Sequence, residues 1–316
     1  MPATFIISFD CEGKWGVIDH LNDHHKANFT NANLNQAYQK LLNILNLRNI
    51  KGTFAFVGAF TLSIEEYFAI QERFADVYIN RKSWLLPFRQ EVSQGCFEGW
   101  LNPKAFQMVA RESQHEIAAH GFTHLPLSEA LIGKEDFVRE ISLLKSASGF
   151  AERKNMTFVY PRNLVGYTQE LKAAGFIGYR DGINSKRLNS KVFQIFQKAL
   201  NILGEFNITQ RAQAHALPDP LVCIPSGVFL NWRHGLRKKI PIDITVKRFA
   251  HMLNEAIHND KVIHLYTHPH NFITGNQMYP LLDRLLALVD RAQRRNEIVS
   301  LTQRDYVGRI MGEEEG

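Results

Sequence analysis

The chain has 316 residues, of which 45% are hydrophobic and 22% charged, with a formal net charge of +6. That composition supports a full apolar core and excludes a broadly disordered or low-complexity chain, the acidic tail at residues 313–316 apart. No window approaches roughly 18 uninterrupted apolar residues, and Cys11, Cys96 and Cys223 form no C-x-x-C pair, which excludes a transmembrane helix, a disulfide framework and a thiolate metal cluster.

Residues 4–9 (TFIISF) are β-branched and aromatic and predict a buried first strand. With no basic residues before it and so short an apolar run, the N-terminus does not resemble a signal peptide, and a reducing cytosol is the expected compartment. The strand ends in Asp10-Cys11-Glu12-Gly13, where Gly13 permits a turn. Residues 33–48 place Leu34, Ala37, Tyr38, Leu41, Leu42 and Leu45 at helical spacing, with Asn33 a suitable N-cap. Residues 53–58 (TFAFVG) predict a second buried strand and residues 63–74 a helix. The aromatic-rich stretch up to Gly99 matches no clear pattern. A helix at 103–113 and a strand at 116–119 follow. Next come a helix at 134–146 with Phe137, Ile141 and Leu144 on one face, and a strand at 156–160 stopped by Pro161. A helix at 168–174 closes on Gly175 and leads into a strand at 176–179. This alternation predicts an α/β fold with a largely parallel sheet, a distorted (β/α) barrel of about seven strands.

Residues 183–243 interrupt the rhythm with a helix at 192–203, the turn Pro218-Asp219-Pro220, a strand-like run at 221–224 and a basic loop to Pro241. The region reads as an insertion covering one mouth of the barrel. Its basic cluster at 233–239 (RHGLRKK) and a second at 291–295 (RAQRR) belong to no nucleic-acid-binding signature, so no nucleic-acid partner is expected. They are solvated faces, or contacts for an acidic glycan, a nucleotide sugar or a membrane surface met peripherally. The alternation resumes with a helix at 245–258, a strand at 262–267, a helix at 277–294, a short strand at 298–299 and a closing helix at 301–310. No repeat or flexible linker divides the chain, which predicts one domain over residues 1–316. Nothing indicates an oligomeric state.

Several strand ends carry groups suited to chemistry. Asp10 and Glu12 stand two apart and project to one face at the C-terminal end of the first strand, where barrel active sites are built. A bound cation would relieve their repulsion, although one capping Asp and one solvated Glu would satisfy the same residues. His120 and His124 stand at i, i+4, the spacing of one helical turn, and could grip one transition-metal ion or be ordinary hydrogen-bonded histidines. His268 ends the strand 262–267 ahead of Pro269 and emerges at the same mouth, where it could act as a general acid; His264 lies deeper and reads as structural. His270 is a substrate contact or merely exposed. Arg162, after Pro161, has a fork suited to aiming Asp10. His115-Glu116 resembles the start of a His-Glu-x-x-His protease motif, but the second histidine is one residue too far and Glu116 belongs to a strand.

Taken in order, SFDCEG, TFAFVG, HEIAAHGFTH and HLYTHPHNF resemble the motifs of the NodB-homology polysaccharide deacetylases, carbohydrate esterase family four, in a divergent form with a D-x-E first motif. The resemblance spans residues 4–272. It implies one divalent metal held by Glu12, His120 and His124, with Zn2+ favoured and Co2+, Ni2+ or Mn2+ able to use the same ligands. It also implies that Asp10 is the general base and His268 the general acid. Arg162 would take the aiming role, Asn163 and His270 substrate contacts, and Asp181 in GYRDG is the candidate for a fourth motif. Glu12 stands where the family usually has Asp, and Pro161 precedes Arg162 where the family has Arg-x-x-Pro. The expected activity is hydrolysis of the acetamide of an N-acetylated sugar or glycan, nucleotide- or lipid-linked forms included, during surface-glycan assembly. The alternatives are hydrolysis of another non-peptide C–N bond, as in a formamide or cyclic ureide, and a non-catalytic metal-containing carbohydrate module. Asp10 and His268 together count against the last, since binding needs neither.

Overall fold

The computed structural model describes residues 2–182 and 211–312; the helix expected at 192–203 and the acidic tail at 313–316 lie outside the described residues. In chain order the strands are β1 (Ala3–Cys11), β2 (Thr53–Phe56), β3 (Tyr78–Ile79), β4 (Lys82–Ser83), β5 (Glu116–Ala119) and β6 (Thr157–Val159). They continue with β7 (Gly178–Arg180), β8 (Val222–Ile224), β9 (Val228–Phe229), β10 (Val262–Thr267) and β11 (Ile298–Leu301). Every residue of β1 is buried, as its β-branched and aromatic composition requires of a strand covered on both faces.

The main sheet runs β8-β7-β6-β5-β2-β1-β10-β9, and each of its ladders is parallel. One edge of β1 pairs with β10. The other pairs with β11 over Ala3–Ile6 and with β2 over Ser8–Cys11, so β11 and β2 share an edge end to end. The sheet is therefore eight strands across against the about seven expected, curled into a half-barrel with flanking helices, which is the distorted barrel-like α/β fold the alternation predicts. The difference comes from residues 221–229. These are not part of an insertion but form β8 and β9, the two ends of the sheet. Val222 and Ile224 are buried and Cys223 exposed, a period-2 pattern too short to separate strand from loop by sequence.

Parity sorts the side chains of β1. Phe5, Ile7, Phe9 and Cys11 join the main apolar cluster with Leu34, Tyr38, Leu41 and Leu45 of the helix Asn31–Asn46. Thr4, Ile6, Ser8 and Asp10 take the opposite, concave face. That face is layered. At the bottom Glu116 accepts hydrogen bonds from Thr53 Oγ1 at 2.8 Å, Thr157 Oγ1 at 2.6 Å and the Arg304 amide at 3.0 Å. Above it Ala55, Ala118 and Val159 form a small apolar cluster. Polar side chains return at the C-terminal ends of the strands.

The helices follow the expected pattern with small shifts. Asn31–Asn46 starts earlier than expected and is capped by Thr30, whose side chain accepts from the Asn33 amide. Ile64–Ile70 begins with a Ser63–Glu66 capping box, and Lys134–Ser146 falls where its apolar spacing puts it. Ile242–His258 and Met278–Arg294 pack on the sheet's outer face, and Gln303–Met311 closes the described chain. No helix among the described residues is long and apolar enough to cross a membrane.

The unassigned aromatic stretch positions the site. It forms the β3–β4 hairpin and the helix Leu86–Val92, then delivers Trp100 against Trp15, ring centroids 5.0 Å apart. Trp15 Nε1 donates to the Trp100 carbonyl at 2.8 Å, and the Lys14 amide to that of Gly99 at 2.8 Å. Gly13, at φ +51°, makes the turn that brings this wall against the end of β1.

Candidate active site

Glu12 leaves the end of β1 and is 4% exposed. A Cβ at Gly16 would overlap Glu12 Oε1, so the bare glycine provides the space its carboxylate fills. One carboxylate oxygen, Oε2, lies 2.9 Å from His124 Nε2 and 3.3 Å from His120 Nε2. The other, Oε1, lies 3.4 Å from His268 Nε2 and 4.0 Å from His270 Nδ1. Burial pushes the Glu12 carboxyl upward, but the surrounding imidazoles of His268, His124 and His120 outweigh it and hold the group well below the usual range.

His120 directly follows β5, and its Nδ1 lies 2.7 Å from the Val159 carbonyl. A carbonyl only accepts, so Nδ1 carries a proton there, and the ring is held with Nε2 facing Glu12. His124 reaches the site by a route the i, i+4 spacing does not describe. Residues 120–125 are not helical; Gly121 at φ +71° and His124 at φ +58° fold a loop that returns the second imidazole beside the first, centroids 4.8 Å apart. Buried Glu140 pins that loop, accepting from the Phe122 amide at 3.0 Å, the Thr123 amide at 2.9 Å and Thr123 Oγ1 at 2.7 Å. Trp84 Nε1 donates to the Thr123 carbonyl at 3.0 Å. Burial lowers the His124 pKa to about 4, Glu12 pulling the other way, so the ring is neutral and available as a ligand. Carboxylate oxygen and two imidazole nitrogens, all within 4.8 Å of one another, are a donor set that fits a divalent ion of zinc type.

Asp10 is clamped by Arg180 rather than by Arg162. Arg180 Nη1 and Nη2 donate to Asp10 Oδ1 and Oδ2 at 2.7 Å each, and the guanidinium carbon sits 4.2 Å from the Tyr266 ring centroid. Burial pushes the Asp10 carboxyl upward, yet the charge and hydrogen bonds of Arg180 win and hold it below the usual range. Arg162 has φ +60° and its Nη2 donates instead to Asp19 at 2.7 Å. The sequence ends the strand before β8 at Tyr179, which leaves Arg180 in a loop. One more residue puts it on the concave face beside Asp10, and that extra step was the available signal. Asn163 Oδ1 accepts from Arg180 Nη2 at 2.8 Å, so this expected substrate contact also buttresses the clamp. Asp181 turns onto its own backbone, accepting from the Gly182 amide at 2.8 Å, and does not join the Asp10 group.

His268 Nε2 stands 3.9 Å from Asp10 Oδ2, with the side chain 23% exposed. His270 is not exposed. Its ring stacks between Phe29 and His268, centroids 4.8 and 5.0 Å away, and burial lowers its pKa to about 3. His264 is structural, as expected: Nδ1 faces the Pro225 carbonyl at 2.7 Å and Nε2 faces Ser8 Oγ at 2.8 Å. Arg180 Nη1 donates to the same Ser8 Oγ at 3.2 Å, so His264 supports the clamp from below.

Asp10, Glu12, His120, His124, His268 and His270 line one cleft of about 470 Å³, together with Phe229, Trp232 and Arg237. A wider depression of about 850 Å³ between residues 72–75 and 134–143 contains no histidine and lies apart from these groups.

No family model and no curated protein matches the chain. Among solved structures it is similar to a candidate polysaccharide deacetylase from Mycobacterium smegmatis, at 14% identity and TM-score 0.58, covering 99% of this chain and 92% of that one. A second such candidate, from Pseudomonas aeruginosa PAO1, gives 13% identity and TM-score 0.54 over 99% and 93% of the two chains. The PuuE allantoinase gives 11% and 0.51 over 99% and 93%. The chain has the fold of the NodB-homology polysaccharide deacetylases.

Proposed function

We propose that the protein is a metal-dependent carbohydrate N-deacetylase, hydrolysing the acetamide of an N-acetylated sugar during surface-glycan assembly. The observation that carries this reading is the convergence, in one cleft, of the Glu12–His120–His124 donors, an ionised Asp10 and His268. A divalent ion on those donors, zinc above Co2+, Ni2+ or Mn2+, would polarise the amide carbonyl and acidify water. Asp10 then takes the proton of the attacking water, because Arg180 keeps the carboxylate ionised and fixes both oxygens. His268 Nε2, across from Asp10, delivers a proton to the departing amine. Phe229 and Trp232 give the cleft an apolar flank against which the carbon face of a sugar ring packs, while Arg237 in the same lining suits a phosphate-bearing carrier. Cys11, Cys96 and Cys223 are all free thiols, which fits work in the cytoplasm.

The test is acetate release from UDP-N-acetylglucosamine and from N-acetylated oligosaccharides, with metal content measured on the purified protein. Asp10→Asn and His124→Ala should each lower turnover by about 100-fold or more. Full activity in either variant sinks the mechanism. Turnover of a cyclic ureide or a formamide without acetate release would reassign the same machinery to another C–N bond.

A further inference from the structure

The four histidines around Glu12 divide into two sets. His120 and His124 address Glu12 Oε2, at 3.3 and 2.9 Å. His268 and His270 address the opposite oxygen, Oε1, at 3.4 and 4.0 Å. In each trio the ligating atoms lie within 4.8 Å of one another. A single ion accounts for the first trio and leaves the second unexplained.

The second trio has its own open valence. His270 Nδ1 is buried and has no hydrogen-bond partner, in a residue only 9% exposed. The ring cannot swing outward, because it is stacked against Phe29 on one side and His268 on the other, at interplanar angles of 28° and 14°. A buried imidazole nitrogen with no hydrogen-bond partner, turned toward a carboxylate, has the arrangement of a metal ligand.

We propose that Glu12 is a bridging carboxylate and that Glu12 Oε1, His268 Nε2 and His270 Nδ1 form a second metal subsite beside the first, selective for imidazole-preferring divalent ions such as Zn2+. The proposal rests on reading the first trio as the catalytic metal site. Two imidazoles and one carboxylate oxygen match the softness and coordination number that zinc takes. Two-metal hydrolases commonly place their ions about 3.5–4 Å apart, the separation one carboxylate can span. Occupying the second subsite engages the His268 nitrogen that would otherwise deliver a proton to the leaving amine. The second ion is therefore inhibitory, and the chain works with one ion and stalls with two.

The test uses the full chain, stripped with a chelator, reloaded with Zn2+ alone and analysed for zinc per chain and by anomalous diffraction at the zinc edge. Two ions per wild-type chain are expected, one in His270→Ala and one in His124→Ala, with two anomalous peaks flanking Glu12 in the wild type. One ion that survives His270→Ala and is lost in His124→Ala overturns the second subsite and leaves the first standing. No bound zinc in the wild type removes both. Two ions in His270→Ala also overturn the proposal. The wild-type anomalous map decides the matter without any variant having to fold: a single peak refutes it.

Discussion

Arg180 shows how much can depend on where one strand ends. It is 1% exposed, donates to both oxygens of Asp10 and leans on Ser8, which leans on His264. Lysine keeps the charge but not the fork. Arg180→Lys should therefore lower kcat/KM by roughly 10- to 100-fold, and the acid limb of the pH–rate profile should move to higher pH. The sign follows from Asp10: Arg180 holds its carboxyl down, so weakening the pair raises the pH at which the base is ionised. Arg162→Ala breaks only a half-exposed pair with Asp19 and should leave the melting temperature nearly unchanged. The convergence of Asp10, Glu12, His120, His124 and His268 at one strand end is legible in the sequence because strand parity and short spacing are local facts. The sequence alone places the clamp on Arg162 because which strand end faces Asp10 depends on sheet order, and sheet order is not local.

A second consequence at this scale concerns pH and stability. Burial lowers the His115 pKa from 6.5 to about 4, and its Nδ1 accepts the Gly52 amide, a bond the protonated ring cannot keep. Burial likewise takes His264 to about 3. The unfolded chain then binds more protons than the folded one below pH 6.5, so stability is full above that value and declines as pH falls toward 4. Urea midpoints measured from pH 7 to pH 4 should fall, and His115→Gln should flatten part of that slope. A flat wild-type profile would contradict both assignments.

At the scale of elements, the loop 120–125 and β1 carry the site together. The His-x-x-x-His spacing predicts convergence correctly but through a helix that is not there. Two left-handed residues and one buried carboxylate do the same work. Glu140 lies mid-helix in Lys134–Ser146, where sequence pattern offers only an ordinary charged position, and its role becomes visible only once the loop is packed over it. Glu140→Ala removes three accepted hydrogen bonds and should destabilise the protein by about 2–4 kcal/mol. Metal affinity should also drop tenfold or more, read by competition with a chromogenic chelator. Unchanged affinity would mean the loop is held by other contacts. The short strands β8 and β9 were hidden for a related reason: two or three residues carry too little periodicity, and only their partners β7 and β10 define them.

For the whole molecule, the strand–helix alternation made the parallel sheet legible, and the four motif segments in order made the fold legible. The width of the sheet and the sharing of one β1 edge by β2 and β11 were not, since both are facts of pairing. The layering of the concave face has a mechanical side. In the strand register Ala55 stands beside Asp10 and Val159 beside Arg180, while Ala118 precedes His120 by two residues on the same face, and two of the three are alanines. This layer of small side chains leaves room for the larger polar groups beside and above it. Ala118→Leu thickens it under His120 by several ångströms of side chain, at a stability cost of about 1–3 kcal/mol. The loss of zinc affinity should exceed what that cost alone implies, because the change lifts one ligand and leaves Glu12 where β1 puts it. The spacing of the histidine and carboxylate groups is then set in part by small residues that do not line the cleft themselves.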